Sequence, residues 1–295
     1  MFTPEENKLP ESEGKLQKFD LFEDNRSLLT AYAYAILGSV DDAKDIVQDA
    51  FLKIMFMDNA KIRDTRSYLI RTVINLSINK KNKNKKLQAG YPGEWLPEPV
   101  ATETADALIK GKEVLEYSLM VLLEKLNARQ RAVFILKEAF DYEHTEIAEV
   151  LEIKPDYSRQ LLKRAKKNIE GDGAVTKGNS SADYLNTYLE VIRRGDTARL
   201  EELLKEEIIV YSDGGGKVSA GLKPVYGKKH ASAYLLGIYQ KFYRNRHIVQ
   251  GIINHQPALL YYEDNVLTNC QIFSLESEHI KQIYFIRNPE KLKVI

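Results

Sequence analysis

Cysteine is almost missing from this chain of 295 residues, where Cys270 stands alone. One thiol forms no internal disulfide and supplies no multi-thiolate metal site, which fits a reducing cytosol. Histidine is scarce too, and its 5 residues show no metal-ligand spacing. No cofactor is expected. Neither sign of charge dominates, because 43 Lys and Arg stand against 42 Asp and Glu. Any charge that attracts nucleic acid therefore has to be local. No apolar run approaches the roughly twenty residues of a membrane span. Met1–Gly14 is acidic and polar, with no apolar core behind a basic start, unlike a secretory signal. A soluble, cytoplasmic protein with no membrane partner is the expectation.

What is present divides the chain, since single cores usually serve about 50 to 200 residues. Residues 1–16 read as a disordered tail. Residues 17–88 contain no proline and carry apolar side chains at helical steps, as in Leu28, Tyr32, Ala35 and Ile36. Gly38 and Ser39 end one helix, Asp41 and Asp42 are placed to cap the next, and Asp64 or Thr65 to cap a third. That third helix runs into the basic tract Lys80, Lys81, Lys83, Lys85 and Lys86. Residues 89–109 form a linker, because Pro92, Gly93, Pro97 and Pro99 forbid a regular helix. Trp95 within YPGEWLPEP is costly to leave in water, so part of this linker is expected to dock on a surface.

Four helices are expected across 110–171, and the short connection Glu152-Ile153-Lys154 makes the last two a helix-turn-helix. The final helix opens at Pro155 and carries Ser158, Arg159, Gln160, Lys163, Arg164, Lys166 and Lys167. Residues near the start of such a helix reach base edges, and later cations meet phosphate. The plain alternative is a solvated basic helix on a bundle. Residues 172–180 are rich in glycine and serine and read as a flexible joint. Residues 181–295 begin with two helices and the strand-like IIVYS. A helix near His230 to Phe242 and four strands follow, broken at Gln256-Pro257, Glu263-Asp264-Asn265 and Glu276-Ser277-Glu278. This is an α+β pattern.

The stretches YAYAILGSVDDAKDIVQDAFLKI and SYLIRTVINLSIN resemble region 2 of bacterial sigma factors of the extracytoplasmic-function class, and LNARQRAVFILKEAFDYEHTEIAEVLEIKPDYSRQLLKRAKKNI resembles region 4. The resemblance covers residues 17 to 170 and implies a transcription-initiation factor that binds RNA polymerase core and promoter DNA. It implies that Asp45, Gln48, Asp49 and Phe51 grip the β′ clamp helices, with the β flap as a second polymerase contact. Asn75, Asn79 and Lys80 would read the melted minus-ten element. Ser158, Arg159, Gln160, Lys163 and Arg164 would read the minus-thirty-five duplex. From the pattern alone, Phe51, Tyr68 and Leu69 lie on an apolar face and read as core, and Asp45 and Asp49 as exposed charges. His144 reads as a satisfied polar residue near a helix start.

WLPEP (Trp95, Leu96, Pro97 to Pro99), DGGGK (Asp213, Gly214, Gly215 to Lys217) and NPEKL (Asn288, Pro289 to Leu292) extend the resemblance to a subgroup with a SnoaL-like cone domain behind region 4. Its last motif is usually NPDKL, so Glu290 departs conservatively. The implied architecture is multidomain, with two all-α modules followed by an α+β SnoaL-like domain. The implied role of that domain is regulation in cis, by docking near Trp95 and Pro97. Two other readings stand beside it. One is a helix-turn-helix regulator whose cone domain senses a small molecule. The other is a cyclase or isomerase using Asp213, His230, His247, His255 or Tyr211, an analogy from fold alone. Glycine-rich DGGGK has the context of neither a Walker nor a dinucleotide fingerprint, and no enzyme is expected.

Overall fold

A computed structural model describes residues 9–57, 64–88, 90–103, 109, 113–169, 182–293 and 295. They fall into two compact units. One takes Met1–Lys85, Leu108–Glu113 and Lys125–Glu170, and the other takes Lys86–Ala107, Val114–Glu124 and Gly171–Ile295. The expected joint, 172–180, lies outside the described residues.

The first unit is all-helical. Helix α1 (Leu9–Leu37) starts inside the expected tail 1–16, so Leu9 to Leu16 are helical. It stops at Gly38, whose φ of 76° is the left-handed conformation that glycine adopts without a Cβ clash. Ser39, not Asp41 or Asp42, caps α2 (Val40–Met55), its hydroxyl accepting from the Asp42 amide at 3.2 Å. The two aspartates instead place negative charge on the first turn. Asp64 caps α3 (Thr65–Gln88) by accepting from the amides of Arg66 and Ser67. Ala31, Ala35, Ala43 and Ala50 are all fully or almost fully buried, and such small side chains let α1 and α2 pack closely.

Helix α5 (Ala128–Phe134) opens with a capping box in which Asn127 and Gln130 satisfy each other's amides. It ends in a π turn, Ile135–Ala139. Helix α6 (His144–Leu151) closes on Glu152 at φ 52°, and α7 (Pro155–Ile169) begins three residues later, which completes the helix-turn-helix. Arg131 of α5 is fully buried, and its Nε donates to the Ala35 carbonyl of α1 at 2.7 Å. One hydrogen-bonded cation thus ties α1 to α5, on which α7 of the helix-turn-helix packs.

The second unit is a six-stranded sheet with helices on one face. Helix α4 (Tyr117–Leu122) precedes it in sequence, followed by a 3-10 turn. Then come α8 (Ala182–Arg194), α9 (Thr197–Leu203), β1 (Leu204–Asp213), β2 (Val225–Tyr226) and α10 (Lys228–Ile238), which ends in a π turn at Tyr239–Tyr243. Strands β3 (His247–Ile253), β4 (Gln256–Glu263), β5 (Val266–Glu276) and β6 (His279–Ile286) follow, and α11 (Pro289–Leu292) ends the fold. The order is β2-β1-β6-β5-β4-β3, with β1 parallel to β6 and every other pair antiparallel.

Side chains alternate between the two faces of each strand. Ile208, Val210, Leu259, Tyr261, Phe273, Ile283 and Phe285 face a core completed by α8, α9 and α10. Leu260, Cys270, Ile272, Tyr284 and Ile286 face the other way, against Leu96, Tyr117 and Leu292. The sheet is therefore covered on both faces, one by its own helices and the other by the chain around WLPEP.

The expected first helix of 110–171 forms only from Tyr117. Just before it, Asn254 Nδ2 donates to the Leu115 carbonyl at 2.9 Å. Gln256 and Pro257 are strand, not turn, because Asn254 and His255 make the two-residue hairpin with φ of 46° and 61°. This turn type usually shows as Asn-Gly, and histidine in the second place disguised it. The other two expected breaks are hairpins with positive φ at Asp264, Asn265, Ser277 and Glu278.

Candidate functional site

The three singled-out motifs meet at one buried carboxylate. Asp213, fully buried at the end of β1, spreads its contacts over both oxygens. Oδ1 accepts from the Tyr91 hydroxyl at 2.5 Å and the Gly215 amide at 3.0 Å. Oδ2 accepts from the Leu96 amide at 2.9 Å and from Lys291 Nζ at 2.7 Å. Lys291, also buried, donates to the Leu96 carbonyl. Its ammonium lies 4.1 Å from the centre of the Trp95 ring and 5.3 Å from that of Tyr91. A buried ion pair repays its desolvation only when further hydrogen bonds satisfy both ions, and here they come from the linker backbone and its aromatic rings. Burial pushes the Lys291 ammonium below its usual range while Asp213 pulls it back up. Burial, then the bond to Asp213, raises the Tyr91 phenol, keeping it a donor.

The rest of each motif fixes this geometry. Asn288 caps α11 by accepting from the Glu290 amide at 3.1 Å, and its Nδ2 donates to the Tyr91 oxygen at 3.1 Å. The amides of Arg287 and Asn288 both donate to the Asp213 carbonyl. Pro289 fits the first turn of α11, where no amide partner is needed, and Leu292 seats in the outer-face core. Gly214 leaves no room for a Cβ beside the Val218 carbonyl, and Gly215 combines φ of 63° with direct contact on Asn288. Lys217 pairs with Glu290, which draws that carboxyl below its usual range, so the departure from NPDKL keeps its charge in use. Pro97 presents its carbonyl to the Tyr117 hydroxyl at 2.7 Å, and Val100 exchanges two 2.8 Å hydrogen bonds with Asn254. Tyr91, Lys291, Tyr117 and Asn254 are functional neighbours that the sequence reading missed. Lys291 lay inside a motif already singled out, and the need of a motif aspartate for a counter-charge was the signal available.

The candidate polymerase and promoter residues lie in the first unit. Asp45, Gln48 and Asp49 are exposed on α2, opposite buried Ile46, Val47, Ala50 and Ile54. Phe51 is half-buried and stacks on Phe22 with centroids 4.2 Å apart, which gives it the packing role expected from the apolar pattern. Leu69 is core as well, and Tyr68 is half-buried. Leu52 and Phe56 are exposed beside them, Phe56 by 87%, and the sequence reading had not singled them out. Asn79 is exposed. Lys80 pairs with Asp42 at 2.9 Å, and this bond holds its ammonium above the usual range. Lys81 leaves the basic tract, because its buried ammonium donates to the Leu37 carbonyl at the end of α1. The side chain of Lys86 lies outside the described residues. Asn75 is engaged, its Nδ2 donating to the Val150 carbonyl of α6 at 3.2 Å, and Arg71 pairs nearby with Glu152 at 3.4 Å.

On α7, Ser158, Leu161 and Ala165 are buried at helical spacing. Ser158 thus faces inward, bonded to His144 Nδ1 at 2.8 Å, and it leaves the set that meets DNA. His144 itself is a satisfied polar residue, held below its usual pKa first by burial and then by Arg159 and Lys137. Arg159, Gln160, Lys163, Arg164, Lys166 and Lys167 are all exposed on the opposite face. The residues weighed as acid-base groups do not converge. Asp213 is paired with Lys291, Tyr211 stacks on Tyr284 across the outer face, and His230, His247 and His255 are exposed.

A helix-turn-helix with a basic outer face, behind a helical module ending in a basic tract, has the form of a DNA-binding protein. Residues 21–87 match the family model for sigma-70 region 2, and residues 117–169 match that for sigma-70 region 4. The chain is 31% identical over 228 residues to the ECF RNA polymerase sigma factor SigJ of Mycobacterium tuberculosis (strain ATCC 25618 / H37Rv), covering 75% of this chain and 73% of that one. It is 24% identical over 277 residues to the probable ECF RNA polymerase sigma factor SigI of M. tuberculosis (strain CDC 1551 / Oshkosh), covering 91% and 92%. The crystal structure of M. tuberculosis SigJ superposes with a TM-score of 0.77 at 25% identity, over 94% of this chain and 98% of that one. The chain belongs to the ECF sigma factors of the sigma-70 family. It binds RNA polymerase core and promoter DNA to direct transcription initiation. Among the described residues no helix is long and apolar enough to cross a membrane.

Proposed function

We propose that this ECF sigma factor is regulated in cis by a SnoaL-like C-terminal domain, and that the Asp213–Lys291 pair is the latch. The observation that carries the reading is that one buried carboxylate binds the linker at Tyr91 and Leu96, the DGGGK loop at Gly215 and the tail at Lys291. A latched linker fixes the segment that joins regions 2 and 4. Within the first unit, the Asn75–Val150 and Arg71–Glu152 contacts hold these regions together, and Asn75 spends its amide on that contact. Engagement of polymerase needs the regions spread, so latching lowers the population of the competent state.

In the competent state, Asp45, Gln48 and Asp49 grip the β′ clamp helices beside exposed Leu52 and Phe56. Asn75, Asn79 and Lys80 hold the melted minus-ten strand. Arg159, Gln160, Lys163 and Arg164 read the minus-thirty-five duplex, and region 4 rests on the β flap. The C-terminal domain works as a regulator, and its candidate acid-base groups are dispersed or already paired. Run-off transcription with purified core polymerase tests this, comparing the full chain with its Asp213→Asn variant on one promoter library. A defined start site with a changed yield is the expected result. Equal yields would remove the latch from regulation, and no transcript from either would remove initiation.

A further inference from the structure

Forty-nine consecutive residues of the second unit, 214–262, contain no aspartate or glutamate, although at the chain's frequency of 42 in 295 about seven would fall there. The same run holds 7 of the Lys and Arg residues, so it carries a formal charge of +7 in a chain of +1 and leaves −6 on everything else. Three of these cations pair with acids outside the run, Lys217 with Glu290, Lys228 with Glu206 and Arg246 with Glu263. Lys223, Lys229, Lys241 and Arg244 are exposed and make no ion pair among the described residues.

The fold gathers most of this free charge on one face. Helix α10 and the π turn behind it bury Leu235, Leu236, Tyr239 and Tyr243 in the core under the sheet. The opposite side runs through Lys229, His230, Ala233, Gly237, Lys241 and Arg244, all exposed. These positions recur at three- and four-residue steps and form one stripe, about 22 Å long at 1.5 Å per residue. A Cβ on Gly237 would meet nothing within 4 Å, so the middle of the stripe is open. The end of α8 lies alongside, a Cβ on Gly195 coming within 3.6 Å of the Gln240 amide, and it adds exposed Arg193. Phe242 lies under the Lys241 ammonium, 5.1 Å from its ring centre. A cation already occupies that ring, whereas single-strand sites offer free rings on which bases stack.

Ordinary surfaces intersperse both signs of charge, and a long face of one sign attracts a polyanion. The polyanion this family handles is promoter DNA. Twelve residues join Ile169 of α7 to Ala182 of α8, a span of at most about 43 Å, and α10 belongs to the same compact unit as α8. With α7 in a major groove, α10 is therefore held at high effective concentration beside the flanking duplex.

We infer that the exposed face of α10 is a second DNA interface, in which Lys229, Lys241 and Arg244 bind the phosphate backbone of duplex flanking the minus-thirty-five site. The stripe is longer than the major groove is wide, about 12 Å, so cations at its two ends meet phosphates on both edges. The contact reads no base and makes no use of the latch. Resting on the promoter binding already described, it adds salt-sensitive affinity to the specific contacts of α7.

The test is a salt titration of the complete polymerase complex, core plus full-length chain, on one labelled promoter fragment that extends beyond the minus-thirty-five site. Wild type is compared with a Lys229→Ala, Lys241→Ala, Arg244→Ala triple variant and with Gly237→Glu, which adds an acid where there is room for it. The triple variant is expected to lower the slope of log affinity against log salt by about three, about one for each lost phosphate contact. Gly237→Glu is expected to weaken binding severalfold at low salt and little at high salt. Affinity for core polymerase without DNA should match wild type in both. An unchanged slope in the triple variant overturns the proposal. So does a loss of core affinity with the slope intact, which would assign the face to an acidic protein surface. Failure of the wild-type complex to bind the fragment at all would strike promoter binding itself and this face with it, so the two failures are told apart.

Discussion

Replacing Asp213 with asparagine keeps the shape of the side chain and inverts its chemistry. One of the two carboxylate oxygens becomes an NH2 group. That donor either faces the Leu96 amide and the Lys291 ammonium or, with the amide flipped, the Tyr91 hydroxyl and the Gly215 amide. Lys291 is left buried without its counter-ion, and removing one partner of such a pair costs about 3–5 kcal/mol. The apolar contribution holding the same stretch is smaller, since full burial of Leu96 stabilises by about 1.5–3 kcal/mol. The polar loss wins locally, and the linker around Trp95 should loosen while Pro97 and Val100 stay held by Tyr117 and Asn254. Trp95 is the only tryptophan of the chain, so its emission reports the event without a label. The variant should show red-shifted emission in buffer and faster amide exchange at Leu96. Lys291→Met should be milder, because Asp213 keeps three donors. The double variant should be less harmful than the sum, with a coupling of about 2 kcal/mol or more. Wild-type emission and wild-type exchange at Leu96 in Asp213→Asn would refute the reasoning.

Further outcomes are open to measurement. Lys163→Ala and Arg164→Ala should weaken binding to every duplex alike and lower the salt slope by about one per residue, whereas unchanged affinity in a salt titration would detach α7 from DNA binding. Gly215→Ala meets both the left-handed φ and the Asn288 side chain, so it should destabilise the latch by about 1–3 kcal/mol in urea titrations read through Trp95. Asn75→Ala should speed amide exchange around Val150 without changing the helical circular dichroism. For His144 the folded pKa lies below the ordinary value. Its contribution to stability is therefore complete above about pH 6.5 and declines as pH falls below that, when the unfolded chain takes up a proton. Thermal melts of wild type and His144→Gln should diverge over that range, and parallel melts would contradict the shift.

Much of the helical half was legible because its signals are local. Asn127 three residues before Gln130 is a capping box, Glu152 to Pro155 is a helix-turn-helix connection, and the period of Leu161 and Ala165 marks the inner face of α7. The same period carries Ser158 inward, so that residue could have been separated from Arg159 and Gln160 beforehand. The meeting of WLPEP, DGGGK and NPEKL was readable as a set only through resemblance. Its chemistry was not, because Tyr91, Asp213 and Lys291 are brought together by the parallel pairing of β1 with β6 and by packing across the sheet. No local period encodes such contacts. Asn254 escaped notice for a related reason, since its side chain serves two segments more than 130 residues away in sequence.

The double covering of the sheet has a consequence for how this protein can be cut and inherited. The outer wall of the second unit's core comes from residues around 91–101 and 117–121, far upstream of the strands. Residues 181–295 expressed alone would leave Leu260, Ile272, Tyr284 and Ile286 facing water, an invitation to aggregate. A fragment ending at Gly171 would strand Leu96 and Tyr117 in the same way. Exchange of the C-terminal region between relatives would succeed only if WLPEP travelled with it. The heritable module is discontinuous in sequence, and the helix-turn-helix is encoded between its parts.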